Sequence, residues 1–279
     1  MTYKELSDAL AEKGIDSPEL DACLLLEHFF SVRRAVVLSD PARDYDSPAF
    51  RDAVSRRLSR EPLQYILGEW DFYRQRYKVN SHCLIPRSDT EILVEEAIRR
   101  LPRDAVFADL CTGSGCIAVS VLAERPDTRA IAADKFEETL ALATVNAHRN
   151  GVGERFTPLL CDVLEEAFFP ENTLLDAILC NPPYIASLKI DGLSPEVQRE
   201  PRAALDGGED GLVFYRHLLK TQRTHLKPEG FFLFEIGYDQ GEALLSLSQE
   251  YGFATARILR DLGGNDRVAY ITHQERNHA

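Results

Sequence analysis

The chain has 279 residues, with 45 Asp and Glu against 32 Lys and Arg for a formal charge of −13. At about 150 residues per domain, this length predicts nearly two domains or one large α/β domain, with a core that needs no covalent staples. With 44% hydrophobic and 28% charged residues, the composition excludes a collagen, a disordered chain and a small disulfide scaffold. The acidic balance argues against a nucleic-acid backbone as partner unless a local basic face exists.

Six cysteines (Cys23, Cys83, Cys111, Cys116, Cys161 and Cys180) show neither CxxC spacing nor nearby histidine clusters. Neither a disulfide framework nor a metal site is expected, and most of them read as buried small hydrophobes. The stretch MTYKELSDALAEKG has no apolar signal region, and no run of about 18 apolar residues occurs anywhere, which predicts a soluble cytoplasmic protein.

From Met1 to about Tyr73 the apolar residues recur at helical spacings of three and four. Ser17 before Pro18 reads as a helix start leading through Leu20, Leu24 and Phe30, and Ser47 before Pro48 repeats the signal ahead of Phe50, Val54 and Leu58. A small helical bundle is predicted, with the basic cluster Arg56, Arg57 and Arg60 on a solvated face. From Trp70 to Leu84, aromatic and β-branched residues alternate with polar ones, as in a short hairpin or extended linker. Helical spacing resumes after Pro86 through Ile92, Val94 and Ile98. The expected organisation is a helical substrate-recognition domain over 1–75, a hairpin or linker over 76–86 and a catalytic domain over 87–279.

From Ala105 onward, strand-like and helix-like runs alternate. AVFADL, RAIAAD, FTPLLCD, LLDAILC and GFFLFEIG are the strands; helices are read from about Ile117 to Glu124 and in EETLALATVNAHRNG and DGLVFYRHLLKTQRTHL. Such alternation predicts a doubly wound, mostly parallel sheet of the α/β class, covered on both faces. The tail differs: TARILRDLGG and RVAYITH are separated by too few residues for a crossover helix, so they should form an antiparallel hairpin.

DLCTGSGCIA sets Gly113 and Gly115 between a strand and a helix N-terminus, where unpaired N–H groups and a close backbone approach favour a phosphate-bearing or adenosyl ligand. Gly113, Gly115 and Ala118 also satisfy GxGxxG/A formally, so the loop alone leaves a dinucleotide and an adenosyl cofactor both open. Asp134 ends the next strand, where a carboxylate can accept two ribose hydroxyls. Asp162, ending the third, sits where an adenine amino group would meet the sheet edge, with Val163 beside the ring.

Asn181, Pro182, Pro183 and Tyr184 follow a buried strand at the sheet edge that binds ligands in open α/β folds. Two prolines stiffen the chain and fix the preceding carbonyls. The Asn181 side-chain oxygen and the Pro182 carbonyl can accept both hydrogens of a planar –NH₂, with Tyr184 as a wall. An amide or aryl amine is a poor nucleophile because its lone pair is delocalised. Two acceptors that hold both N–H bonds favour pyramidalisation and strengthen as positive charge develops, so they bind the transition state best.

The ordered set DLCTGSG, Asp134 and NPPY resembles class I S-adenosylmethionine-dependent methyltransferases acting on planar nitrogens. LQYILGEWDFY, LIPRSDTEILVE, EPRAALDGGEDGLVFYR, FEIGYDQGE and DLGGNDRV further resemble segments of the release-factor glutamine methyltransferase family, of the HemK or PrmC type, over roughly residues 60 to 272. The resemblance implies methyl transfer from S-adenosyl-L-methionine to the side-chain amide of the GGQ glutamine in class-1 peptide chain release factors. It implies a cofactor site made of Cys111, Thr112, Gly113, Ser114, Gly115, Asp134, Asp162, Val163 and Asn181. Glutamine would be held by Asn181, Pro182, Pro183 and Tyr184, with Asn181, Pro182 and Tyr184 serving catalysis.

Arg87 and Glu91 would either line the mouth of the site or anchor the linker by an ion pair. Two departures from the family pattern stand out: Cys111 in place of a glycine, which demands a backbone conformation a non-glycine can adopt, and Ser88 in place of a proline. The rival within the same chemistry is an adenine or cytosine amino methyltransferase acting on DNA or RNA, which would want a basic channel. A nicotinamide-dependent dehydrogenase leaves NPPY unexplained, and a non-catalytic binding protein leaves Asn181 and Asp134 without purpose. The expected partner is a release factor docking at two places, its GGQ loop and a second contact to the N-terminal domain, with no direct nucleic acid, no membrane and a monomeric enzyme.

Overall fold

The computed structural model describes residues 1–165, 167–170 and 172–272, so the last seven positions of the expected catalytic domain, including the final residue of RVAYITH, lie outside the described residues. The chain divides into two units: Met1–Glu69 together with Leu193–Arg199, and Trp70–Gly192 together with Glu200–Ala279.

The first unit is helical: α1 Tyr3–Glu12, α2 Pro18–Phe30, α3 Arg34–Ser39, α4 Pro48–Leu58 and α5 Leu63–Leu67. Thr2 opens α1 with a capping box, its hydroxyl accepting from the Glu5 N–H while the Glu5 carboxylate accepts from the Thr2 N–H. Ser47 caps α4 by accepting from Phe50 N–H at 3.1 Å, but Ser17 makes no side-chain cap, so α2 starts on Pro18 alone. Leu6, Leu10, Leu25, Leu26, Phe50 and Val54 form its core. The basic cluster departs from the expected solvated face. Arg57 is buried, donating Nε to Asp21 at 2.7 Å and Nη1 to Glu196 at 3.0 Å, while Arg60 donates to the other Glu196 oxygen at 2.7 Å. A guanidinium is tolerated there because two carboxylates satisfy it.

A hairpin, β1 Glu69–Phe72 and β2 Gln75–Lys78, follows, its residues from Trp70 onward belonging to the second unit, and then α6 Glu91–Arg100. Then come β3 Val106–Leu110, α7 Cys116–Glu124, β4 Arg129–Asp134, α8 Glu137–Arg149, β5 Phe156–Leu160, β6 Leu175–Cys180, α9 Val213–Thr221, β7 Leu226–Glu235, α10 Gly241–Glu250, β8 Thr255–Arg260 and β9 Asp266–Thr272. Helix α10 has no counterpart in the runs read from the sequence. The sheet order is β5-β4-β3-β6-β7-β9-β8, parallel through β7 and antiparallel at β9. This is the expected doubly wound sheet of a class I methyltransferase-like fold, with its terminal antiparallel pair; β9 lies between β7 and the edge strand β8.

Alternation along each strand sends Phe107, Ala132, Leu179, Phe231 and Leu233 to the face covered by α6, α7 and α8. Leu110, Ile178, Cys180, Phe232 and Phe234 go to the face covered by α9 and α10. Each fully buried Phe or Leu contributes about 1.5–3 kcal/mol of transfer free energy. Strand order reverses at β3 and β6, so the loops leaving these two strands at their carboxyl ends flank one crevice.

Candidate active site

The loop leaving β3 is held by the strand beside it. Thr112 N–H donates to Ala133 O at 2.9 Å, and Gly113 N–H donates to Asp134 Oδ2 at 3.1 Å. Cys111, Gly113 and Gly115 all take the left-handed conformation, with φ of 57°, 57° and 80°. Cys111 thus tolerates the turn where glycine was expected. Gly115 is required for a further reason: a Cβ there would sit 3.1 Å from Ala143 Cβ on α8. Asn146, on the buried face of α8, donates to Ser114 O at 2.8 Å and to Lys78 O at 2.9 Å and accepts from Lys78 N–H at 2.7 Å, tying the loop to β2.

A cavity open to solvent lies here. Cys111, Thr112, Gly113, Ser114, Asp134, Asp162, Val163, Asn181 and Pro183 line it; Gly115, Pro182 and Tyr184 do not. Arg87 also lines it and is ion-paired with buried Glu200, which accepts from Ile85 N–H at 3.0 Å as well. Glu91 instead accepts from Tyr73 N–H at 2.8 Å, away from the cavity lining.

Burial raises the Asp134 carboxyl above its ordinary range, against the pull of the Gly113, Phe136 and Lys135 N–H groups and the Lys135 charge. Asp162 faces Lys135 Nζ at 3.7 Å and accepts from Leu164 N–H at 3.0 Å. Asn181 Nδ2 donates to Thr90 Oγ1 at 3.3 Å. Tyr184 turns from the cavity to donate its hydroxyl to Glu235 Oε1 at 3.4 Å, and burial pushes its phenol well above the ordinary value.

The segment from Asn181 to Tyr184 is clamped from behind. Gln240 donates Nε2 to Tyr184 O at 3.0 Å and to Gly211 O at 3.2 Å, and its Oε1 accepts from Gly237 N–H at 2.9 Å. Ile185 N–H donates to Leu205 O and Gly207 N–H to Ile185 O, both at 2.9 Å. Thr90, Asn146, Glu200, Glu235 and Gln240 escaped the sequence reading. Asn146 alone carried a local signal, as a polar residue at apolar spacing between Ala143 and Ala147. Among the described residues no group of three or more His, Cys, Asp or Glu is placed to hold a metal ion, and no helix is long and apolar enough to cross a membrane.

Residues 2–68 match the family described as the PrmC N-terminal domain, and residues 87–231 match the methyltransferase small domain. The release factor glutamine methyltransferase of Caulobacter vibrioides is 39% identical over 267 residues, covering 94% of this chain and 91% of that protein. The one from Cereibacter sphaeroides is 41% identical, covering 93% and 92%, and the one from Geobacter sulfurreducens is 38% identical, covering 93% and 91%.

Proposed function

We propose that this chain, which belongs to the release factor glutamine methyltransferase family, methylates the side-chain amide nitrogen of the GGQ glutamine in class-1 peptide chain release factors, using S-adenosyl-L-methionine. The observation that carries the reading is the meeting of the Cys111–Gly115 loop, Asp134 and Asn181 around one cavity at the carboxyl edge of the sheet.

The residues present fit the cofactor. Thr112, Gly113 and Ser114 bring the loop against the cavity, while Gly115 lets the loop pack on α8. Asp134 spends one oxygen on Gly113 N–H and the other on Phe136 N–H, at 3.1 and 3.2 Å, and keeps acceptor capacity for two ribose hydroxyls. Cys111, Thr112 and Ser114 shape the same loop, while Asp162 and buried Val163 offer a polar and an apolar contact to the adenine. When bound, S-adenosyl-L-methionine supplies a methyl group on a sulfonium, an electrophile that needs no metal.

The chain then has to make an amide nucleophilic. The Asn181 oxygen and the Pro182 carbonyl would accept the two amide hydrogens, so that the nitrogen lone pair would lose conjugation and become nucleophilic. Pro183 and Tyr184 stiffen the acceptor segment. As the nitrogen took the methyl and the methyl–sulfur bond broke, its electron pair leaving with the now neutral sulfur, positive charge on nitrogen would strengthen both hydrogen bonds, and one amide proton would then be lost to water. The partner is a release factor engaged at its GGQ loop by this site and at a second place by the N-terminal helices, which lie within residues 1–75 and end before the β1–β2 hairpin; two-site binding supplies the selectivity one amide cannot.

The test is to incubate purified enzyme and cofactor with a class-1 release factor, and separately with duplex DNA and with RNA. The expected result is a single methyl on the GGQ glutamine by peptide mass spectrometry. Methyl on adenine or cytosine with an unmodified release factor would establish the nucleic-acid reading instead.

A further inference from the structure

We infer that Thr90 is a positioning residue for Asn181, setting which end of its side-chain amide faces the cavity. The inference rests on the amide-clamp reading above and deepens it. A clamp requires the Asn181 oxygen, not its NH₂, to face the substrate amide, yet the two ends of an asparagine amide are nearly the same shape and only hydrogen bonding distinguishes them.

Thr90 provides that distinction. It is 2% exposed, lines the cavity, and its Oγ1 accepts from Asn181 Nδ2 at 3.3 Å. Its backbone is fixed by donation to Arg87 O at 3.1 Å at the entry to α6. By accepting, the hydroxyl engages the NH₂ end of the Asn181 amide and leaves its oxygen for the substrate.

Steady-state kinetics of full-length enzyme with a class-1 release factor test this, alongside calorimetric titration with S-adenosyl-L-methionine. Thr90→Val keeps the shape but loses the hydroxyl. It should lower kcat about tenfold or more while the cofactor dissociation constant stays within about twofold, and Thr90→Ser should restore most of the rate. Thr90→Ala also removes the hydroxyl; it should lower kcat in the same way and carries the test if Thr90→Val does not fold. A wild-type kcat in Thr90→Val or Thr90→Ala overturns the inference, as does a loss in Thr90→Val that Thr90→Ser fails to restore. If the wild-type enzyme leaves the release factor unmethylated, the proposed function itself is overturned and this assignment falls with it.

Discussion

Gly113 N–H donates to Asp134 Oδ2 at 3.1 Å, so the glycine loop after β3 and the carboxylate ending β4 are one unit. The pairing orients the carboxylate toward the cavity at the cost of one of its acceptor positions, and Phe136 N–H takes another. Asp134→Ala should therefore weaken S-adenosyl-L-methionine binding about hundredfold, the equivalent of two charge-assisted hydrogen bonds of roughly 1.5 kcal/mol each. Asp134→Asn, which retains an oxygen for Gly113, should lose about tenfold. Calorimetric titration measures both, and an unchanged affinity in Asp134→Ala would remove the ribose assignment.

Asn181→Ala separates binding from chemistry. The side chain lines the cavity and, among the described residues, its hydrogen bond is to Thr90, so its loss leaves the glycine loop and Asp134 undisturbed. The cofactor dissociation constant should stay within about threefold while kcat falls by roughly 10²–10³, the range for removing a preorganised polar group that acts on developing charge. Single-turnover methylation of a release factor gives the rate; undiminished turnover would refute the amide clamp.

Gly211 guards the same segment from behind. Its φ is +77°, and a Cβ would lie 2.3 Å from Tyr184 O and 2.8 Å from Gln240 Nε2. Gly211→Ala must strain the backbone or push Tyr184 away from Gln240, and about 2–4 kcal/mol of destabilisation is expected. Urea unfolding compares it with Gly192→Ala, where a Cβ meets nothing within 4 Å and φ is unstrained. Equal midpoints for the two variants would show that the Gly211 contact bears no strain.

The sheet was legible because β6, with every residue buried, reads as an apolar run interrupted by Asp176 alone, while α8 reads at helical spacing. The glycine loop was legible because its conformational demand falls on residues adjacent in sequence. Thr90, Glu200, Glu235 and Gln240 were not, since each acts on a residue tens of positions away and nothing local distinguishes a threonine or glutamate that will be buried. Arg57 shows the same limit from the other side: its neighbours Arg56 and Arg60 suggest a solvated strip, but Asp21 and Glu196, distant in sequence, draw it inward.

Asp109 makes the stability of the fold depend on pH. It is wholly buried at the end of β3, its Oδ2 accepting from Thr112 Oγ1 at 2.6 Å and from Ala118 N–H at 3.1 Å, while Oδ1 has no partner among the described residues. Burial pushes its carboxyl up to about 7, against the pull of the Thr112 and Ala118 donors. The native chain therefore keeps a proton that the unfolded chain releases near pH 4. This contribution to stability is complete below the unfolded value and is lost as pH climbs toward about 7. Glu235, also pushed up to about 7 by burial, acts in the same window and in the same direction. Asp109→Asn retains an oxygen for both donors and carries no charge. Between about pH 5 and about pH 8 its Tm should fall less steeply than that of the wild type, the two curves approaching each other at the acid end. Adding Glu235→Gln should flatten the profile further. Thermal unfolding across this range measures the slopes, and parallel curves for wild type and Asp109→Asn would show that the Asp109 carboxyl keeps its ordinary acidity in the fold.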